Sequence, residues 1–153
     1  MKVKIIILIL IFTLIGLGGY ALNKSKKETY IMTQEMRIDL YFKHNLKNYQ
    51  TLKINNFKKS PMNGYFIDGY INDDKNLEFE AYISSADNHQ FTGDVGYDRD
   101  GVGKLFKEKN AKDKLTPNDI IKKENLNKKD YEADPPLIWG VNIKKSLTSQ
   151  PNE

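Results

Sequence analysis

The stretch that most constrains the fold of this chain is residues 64–84, GYFIDGYINDDKNLEFEAYIS, which reads as two strands joined by a polar turn. Side chains on a strand point alternately to opposite faces, so hydrophobicity with a period of two places one set against a core. The set predicted to face inward consists of Tyr65, Ile67, Gly69 and Ile71, followed by Leu77, Phe79, Ala81 and Ile83. The connecting sequence NDDKN favours a turn, because Asn and Asp tolerate left-handed backbone. These residues predict an antiparallel hairpin.

The sequences on either side of the hairpin predict a long helix before it and short elements after it. Ser25 and Glu28 fit a capping box at the start of that helix. Apolar residues then recur at helical spacing at Ile31, Ile38, Phe42, Leu46 and Tyr49, with Met32, Met36 and Tyr41 broadening the stripe. The side chains predicted to point away from the core are Arg37, Asp39, Lys43 and Lys47. Further strands are predicted at residues 51–57 and 90–97, and a short helix capped by Thr116 at residues 117–126.

Together these elements predict an α+β fold. Its expected parts are an N-terminal membrane-directed helix, a long amphipathic helix packed on a four-stranded antiparallel meander, a short C-terminal helix and an apolar segment. The expected organisation is a signal peptide or transmembrane anchor at residues 1–24, a single α+β domain at 25–145 and a polar tail at 146–153.

The N-terminus contains an uncharged stretch of 18 residues from Ile5 to Leu22, with lysines on both sides. A run of that length is at the lower edge of what crosses a bilayer. Two interpretations remain open: an uncleaved membrane anchor, or a cleaved signal peptide with Gly19-Tyr20-Ala21 as its processing site. An uncleaved anchor predicts a cell membrane protein with an extracellular domain, and a cleaved signal peptide predicts a secreted protein.

The charge distribution argues against nucleic acid as a partner. Five of the 24 basic residues lie within residues 1–27, which contain no acidic residue, so residues 28–153 carry 19 basic and 20 acidic residues. Binding to phosphates generally needs a basic face, which a near-neutral body does not predict. The chain also contains no cysteine, which excludes disulfides, thiolate nucleophiles and zinc sites built on Cys.

Motifs that would indicate chemistry are incomplete. Asp98-Arg99-Asp100-Gly101 resembles part of a calcium loop, but the first and last ligand positions would be Gly96 and Lys107. A turn stabilised by aspartate side chains is the expected structure there. The two histidines, His44 and His89, lie in different predicted elements, and His44 is expected on the exposed side of the helix. We therefore expect no metal, no cofactor and no catalytic residue.

The outer face of the hairpin is the best candidate for a contact surface. Phe66, Tyr70 and Tyr82 are predicted to share that face with the carboxylates of Asp68, Glu78 and Glu80. Exposed aromatic residues on a sheet can mark a binding surface. The alternative is that the C-terminal segment containing Trp139 covers them as a second layer, which is the ordinary arrangement in small sheets.

The stretch from Tyr41 to Ile83 resembles a family of small exported staphylococcal proteins, many of them lipoproteins, that is defined only as a domain of unknown function. The resemblance rests on YFKHN near the helix end, PMNGY in the first turn and GYINDDKNL in the hairpin, and it covers roughly residues 30 to 125. It implies an exported protein of a Gram-positive bacterium with one α+β domain, and it implies no activity. In those lipoproteins a cysteine carries the lipid, whereas Leu17-Gly18-Gly19 is followed here by Tyr20.

These observations predict an uncharacterised membrane-anchored or exported surface protein that binds another macromolecule and is not an enzyme. The expected partners are the membrane, through Ile5 to Leu22, and an unknown protein or surface component. The alternative is a hydrolase-type enzyme that uses the group formed by Asp68, Glu78 and Glu80.

Overall fold

In a computed structural model of the protein, the backbone is described for residues 2–136 and the side chains for residues 21–136. Helix α1 spans Lys2–Asn45. It is followed by strands β1 (Leu52–Ser60), β2 (Gly64–Ile71), β3 (Glu78–Ile83) and β4 (Val95–Tyr97), and then by the short helix α2 (Pro117–Lys123). The strands form one sheet in the order β1-β2-β3-β4 with every neighbouring pair antiparallel, so the predicted α+β meander is confirmed.

The predicted hairpin is formed by β2 and β3, with Ile67 opposite Ala81 and Tyr65 opposite Ile83. All four of these side chains are buried, and the intervening residues of both strands are half-buried or exposed. Gly69 lies opposite Phe79, and a Cβ atom on Gly69 would come within 2.9 Å of the Phe79 ring. The glycine therefore leaves the space that the phenylalanine ring occupies.

Helix α1 covers the inner face of the sheet. Ile38, Phe42 and Leu46 of α1 are buried in the same cluster as the inward side chains of the strands. On another side, Leu40 packs against Ile120 and Ile121 of α2 in a second, smaller cluster. The helix is thus enclosed between the sheet and the C-terminal elements, which explains why it has more buried positions than one apolar stripe predicts.

The long helix does not begin at Ser25, as the capping box predicted. Ser25 is an exposed residue within a continuous helix from Lys2, because the residues before it keep helical backbone and leave no amide for a cap to satisfy. The methionines predicted to broaden the apolar stripe are also on the outside, with Met32 56% and Met36 37% exposed.

The fourth strand is shorter than the predicted 90–97. The backbone amide of Phe91 donates to Gln34 Oε1 at 2.8 Å, and the Phe91 carbonyl accepts a hydrogen bond from Arg37 Nε, also at 2.8 Å. Because side chains of α1 satisfy both groups of Phe91, this segment follows the helix and joins the sheet only from Val95.

The ends of two other elements differ by a few residues from the prediction. Strand β1 continues to Ser60 and has an irregularity between Ile54 and Asn56. Helix α2 ends at Lys123, because Asn125 has a positive φ of 54° and the amide of Leu126 donates back to the Ile121 carbonyl.

Across the residues with described side chains, no helical stretch combines the length and the apolarity that a membrane crossing requires. The stretch from Ile5 to Leu22 lies almost entirely outside those residues, as do the segment around Trp139 and the predicted tail at 146–153.

Candidate functional site

The outer face of the sheet carries an aromatic pair near the open end of the β2–β3 hairpin, away from its turn. Phe66 of β2 lies directly opposite Tyr82 of β3, and their ring centroids are 5.0 Å apart at an interplanar angle of 38°. Both side chains are half-buried. Aromatic pairs across a sheet stabilise it and leave one ring face available for contact.

Tyr70 lies on the same face but belongs to a different row of the sheet. It pairs with Glu78, whereas Asp68, which pairs with Glu80, comes between Tyr70 and Phe66 along β2. The structure thus brings Phe66 and Tyr82 together and places Tyr70 beyond a row of carboxylates. The alternative that the segment around Trp139 covers this face concerns residues outside the described part of the chain.

The charges on this face are unevenly balanced. Lys58 Nζ lies 2.7 Å from Asp68 Oδ2, and this hydrogen bond, together with the carboxylate charge, raises the pKa of Lys58. Lys53 Nζ lies 3.2 Å from Asp73 Oδ1. Glu78 and Glu80 are exposed, and neither forms an ion pair with any described residue. The face therefore presents two carboxylates that form no ion pair with any described residue, on the same side of the sheet as its aromatic residues.

A shallow groove of about 350 Å³ runs across this face, with the carboxylates along it. Its lining residues are Asn55, Asp68, Gly69, Glu78, Phe79, Glu80 and Gly96. Acid–base catalysis by carboxylates depends on an environment that differs from water, through burial or through a second carboxylate held close by. Glu78 and Glu80 are exposed, and Asp68 is already paired with Lys58. The groove therefore offers exposed carboxylates that attract a cation.

A second polar cluster, which the sequence did not predict, surrounds Arg37. Arg37 was expected to point into solvent, but it is fully buried. Its Nε donates to the Phe91 carbonyl, its Nη1 to the Tyr131 carbonyl at 3.0 Å and its Nη2 to Asn118 Oδ1 at 2.7 Å. Burial lowers the pKa of the guanidinium, although arginine keeps its charge in proteins. One side chain therefore joins α1 to three later segments of the chain.

The Arg37 cluster opens into a polar cavity of about 550 Å³. Its charged lining residues are Arg37, Lys128 and Lys129 together with Asp87, Glu132 and Asp134. Three cations and three carboxylates balance one another, and Lys128 already pairs with Glu132 at 3.2 Å. The cavity thus has no net preference for a charged ligand, and the main role of Arg37 is structural.

The two histidines are both engaged in the fold. His44, expected to be solvated, is half-buried; its Nδ1 donates to the Leu40 carbonyl at 2.9 Å, and its Nε2 contacts the carboxylate of Glu124. The carbonyl of His89 accepts a hydrogen bond from the Tyr30 hydroxyl at 2.7 Å. The Nδ1 atom of His89 is buried and has no hydrogen-bond partner in the part of the chain that the structure describes.

The loop at Asp98 forms the predicted turn. Asp98 Oδ1 accepts a hydrogen bond from the amide of Asp100 at 3.0 Å, and the Asp98 carbonyl accepts hydrogen bonds from the amides of Gly101 and Gly103. Among residues with described side chains, no group of three or more His, Asp or Glu residues is arranged to hold a metal ion.

Comparison with known protein families places residues 30–123 in the family described as "Protein of unknown function (DUF1433)". No curated protein and no solved structure is significantly similar to the chain. The matched residues include the part of α1 that packs on the sheet, all four strands and α2, so they contain both the core and the outer aromatic face. The chain belongs to this family of proteins of unknown function.

Proposed function

We propose that the protein is a membrane-attached binding module whose outer sheet face contacts a basic segment of another protein. The observation that carries the proposal is the half-exposed Phe66–Tyr82 pair, which lies beside the carboxylate of Glu80, with Glu78 one row further along the same face. Aromatic rings bind apolar and cationic side chains on their faces, and carboxylates at the rim attract lysine and arginine. The groove lined by Asp68, Glu78 and Glu80 crosses the same face as the aromatic pair, so an extended polypeptide with cationic and apolar side chains fits this face.

The attachment is inferred from the uncharged stretch from Ile5 to Leu22 and from the resemblance to exported proteins. We infer that this stretch remains in the cell membrane and that the residues after it lie outside the cell. Fractionation of cells that produce the protein tests the location, followed by protease treatment of the intact cells. Recovery of intact protein in the cytosol would refute the export, and release of a processed form into the medium would refute the anchor.

Site-specific photo-crosslinking in cells tests the binding surface. A benzophenone amino acid at position 70 should give a discrete adduct, whereas the same group at Lys122, exposed on α2, should give none. Glu80→Lys reverses a charge on the outer face and leaves the core unchanged. The yield of the adduct at position 70 should then fall at least about fivefold, because charge complementarity with the basic partner is lost. Equal labelling at both positions, or an adduct unaffected by Glu80→Lys, would rule out this surface.

A further inference from the structure

We infer that the turn between β1 and β2, with Met62 at its tip, contacts the headgroup region of an anionic lipid membrane. This inference rests on the proposed membrane attachment and adds a second point of contact to it. Met62 is 80% exposed, which is the largest exposure among the bulky apolar side chains that the structure describes.

The turn lies at the end of the domain that α1 enters. Tyr30 of α1 packs against Phe57 of β1 and Tyr65 of β2, with ring centroids 5.9 and 5.3 Å apart. Further along the helix, Phe42 packs against Phe79. Strand β2 contains Tyr65, which contacts Tyr30, and Gly69, which pairs with Phe79. It therefore runs along α1 in the direction from Tyr30 toward Phe42. The turn that precedes β2 lies beyond Tyr30, toward the N-terminus of α1.

Measured from Tyr30 toward the N-terminus of α1, Leu22 and the β1–β2 turn lie at similar distances. Leu22 precedes Tyr30 by eight helical residues, which corresponds to about 12 Å along the helix axis. Strand β1 continues for three residues beyond Phe57 to Ser60, which corresponds to about 10 Å. The tip of the turn thus approaches the level at which the uncharged stretch of α1 ends.

Because α1 is continuous from Lys2 to Asn45, no flexible linker separates the uncharged stretch from the domain. A helix that crosses the membrane would hold the domain at a set height, with this turn close to the lipid surface. The connection between β3 and β4 lies at the same end, since Ile83 pairs with Tyr65, and it carries Asp87. The contact is therefore expected through the β1–β2 turn and not through that neighbouring loop.

The charges favour an anionic surface. Residues 56–67, which include the turn, contain Lys58 and Lys59 and no acidic residue, and Lys24 and Lys26, on the domain side of the uncharged stretch, are exposed. Lys58 is paired with Asp68. Lys59 is exposed and forms no ion pair with any described residue. Lysines beside an apolar side chain are typical of surfaces that bind anionic headgroups.

The chain contains no cysteine, so a single introduced cysteine can carry a fluorescent label at one defined site. The full-length chain is reconstituted into phosphatidylcholine vesicles with or without phosphatidylglycerol, and quenching by a doxyl-labelled lipid is measured. Met62→Cys is the test position. Lys75→Cys, exposed on the turn at the other end of the hairpin, is the matched control, and Leu10→Cys reports insertion of the uncharged stretch.

Strong quenching at position 62 with phosphatidylglycerol, together with none at position 75, is the expected result. Adding Lys59→Ala should weaken the contact of position 62 about fivefold, the factor that corresponds to about 1 kcal/mol per lysine at an anionic surface. Quenching at position 10 without quenching at position 62 would overturn this inference and leave the anchor standing. Absence of quenching at position 10 would overturn the anchor itself, and equal quenching at positions 62 and 75 would show that the contact is not specific to this turn.

Discussion

The ring of Phe42 on α1 packs against the ring of Phe79 on β3, with centroids 4.8 Å apart and ring planes at 68°. This edge-to-face contact joins the long helix to the central hairpin, and both side chains are almost fully buried. Aromatic pairs in this geometry contribute beyond the area that they remove from water.

We expect Phe79→Ala to lower the free energy of unfolding by about 3–5 kcal/mol, because neighbouring side chains can fill only part of the cavity left by the ring. That is a large share of the stability of a domain of this size. Denaturant unfolding of residues 25–153, with and without the substitution, measures the loss.

Glu80→Ala is the matched control, because Glu80 is the next residue along β3 and is exposed on the opposite face. It should change the free energy of unfolding by less than about 0.5 kcal/mol. A harmless Phe79→Ala beside a damaging Glu80→Ala would mean that the two faces of the sheet are exchanged.

Arg37→Ala should destabilise the protein by at least about 3 kcal/mol, since it leaves the Phe91 and Tyr131 carbonyls and the Asn118 side chain without their donor. Arg37→Lys should recover only part of the loss, because an ammonium cannot match the planar fork of a guanidinium. Arg99→Ala, at an exposed position, is the control and should be close to neutral in the same unfolding measurement. Equal effects at the two arginines would contradict the structural role of Arg37.

The N-terminal cap of α2 predicts that the stability of the protein depends on pH. The hydroxyl and the amide of Thr116 donate to Asp119 Oδ2 at 2.6 and 3.0 Å, which lowers the pKa of Asp119. A carboxylate with a lowered pKa in the folded state stabilises that state above the unfolded pKa of about 4, and this contribution is lost as the pH falls through the folded value.

Asp119→Asn should therefore cost about 0.5–1 kcal/mol at pH 7, a typical value for one capping interaction. The cost should shrink at pH 3, which lies below the unfolded pKa of about 4, because protonation of the unfolded chain removes part of this contribution. Chemical unfolding of the wild type and the variant at both pH values measures it. A difference that is the same at pH 7 and pH 3 would mean that the carboxylate charge is not what stabilises the cap.

Calcium should leave the thermal midpoint of the protein unchanged, because Asp98 already binds the amide of Asp100 and the loop lacks the outer ligands of a calcium site. Thermal unfolding with and without millimolar calcium tests this expectation. A saturable upward shift that Asp100→Asn abolishes would show that the loop binds the ion.

The outer aromatic face could be predicted only in part. Its residues follow from the period of two, because each side chain's face is set by its place along the strand. The contact between the tilted rings of Phe66 and Tyr82, and the row of carboxylates that separates them from Tyr70, depend on the register between β2 and β3. The pairing of Lys58 with Asp68 depends likewise on the register between β1 and β2.

The sequence by itself determined the features that depend on neighbouring residues: the alternation of the hairpin, its Asn- and Asp-rich turn, the Thr116 cap and the apolar stripe of α1. Tertiary structure alone decided the burial of Arg37 and the exposure of Met32 and Met36. A helix with one covered face leaves its opposite face to solvent, but α1 is covered on two sides, by the sheet and by α2. The second side buries a polar arginine because distant segments supply three acceptors for its donors, and no local pattern along the chain specifies those acceptors.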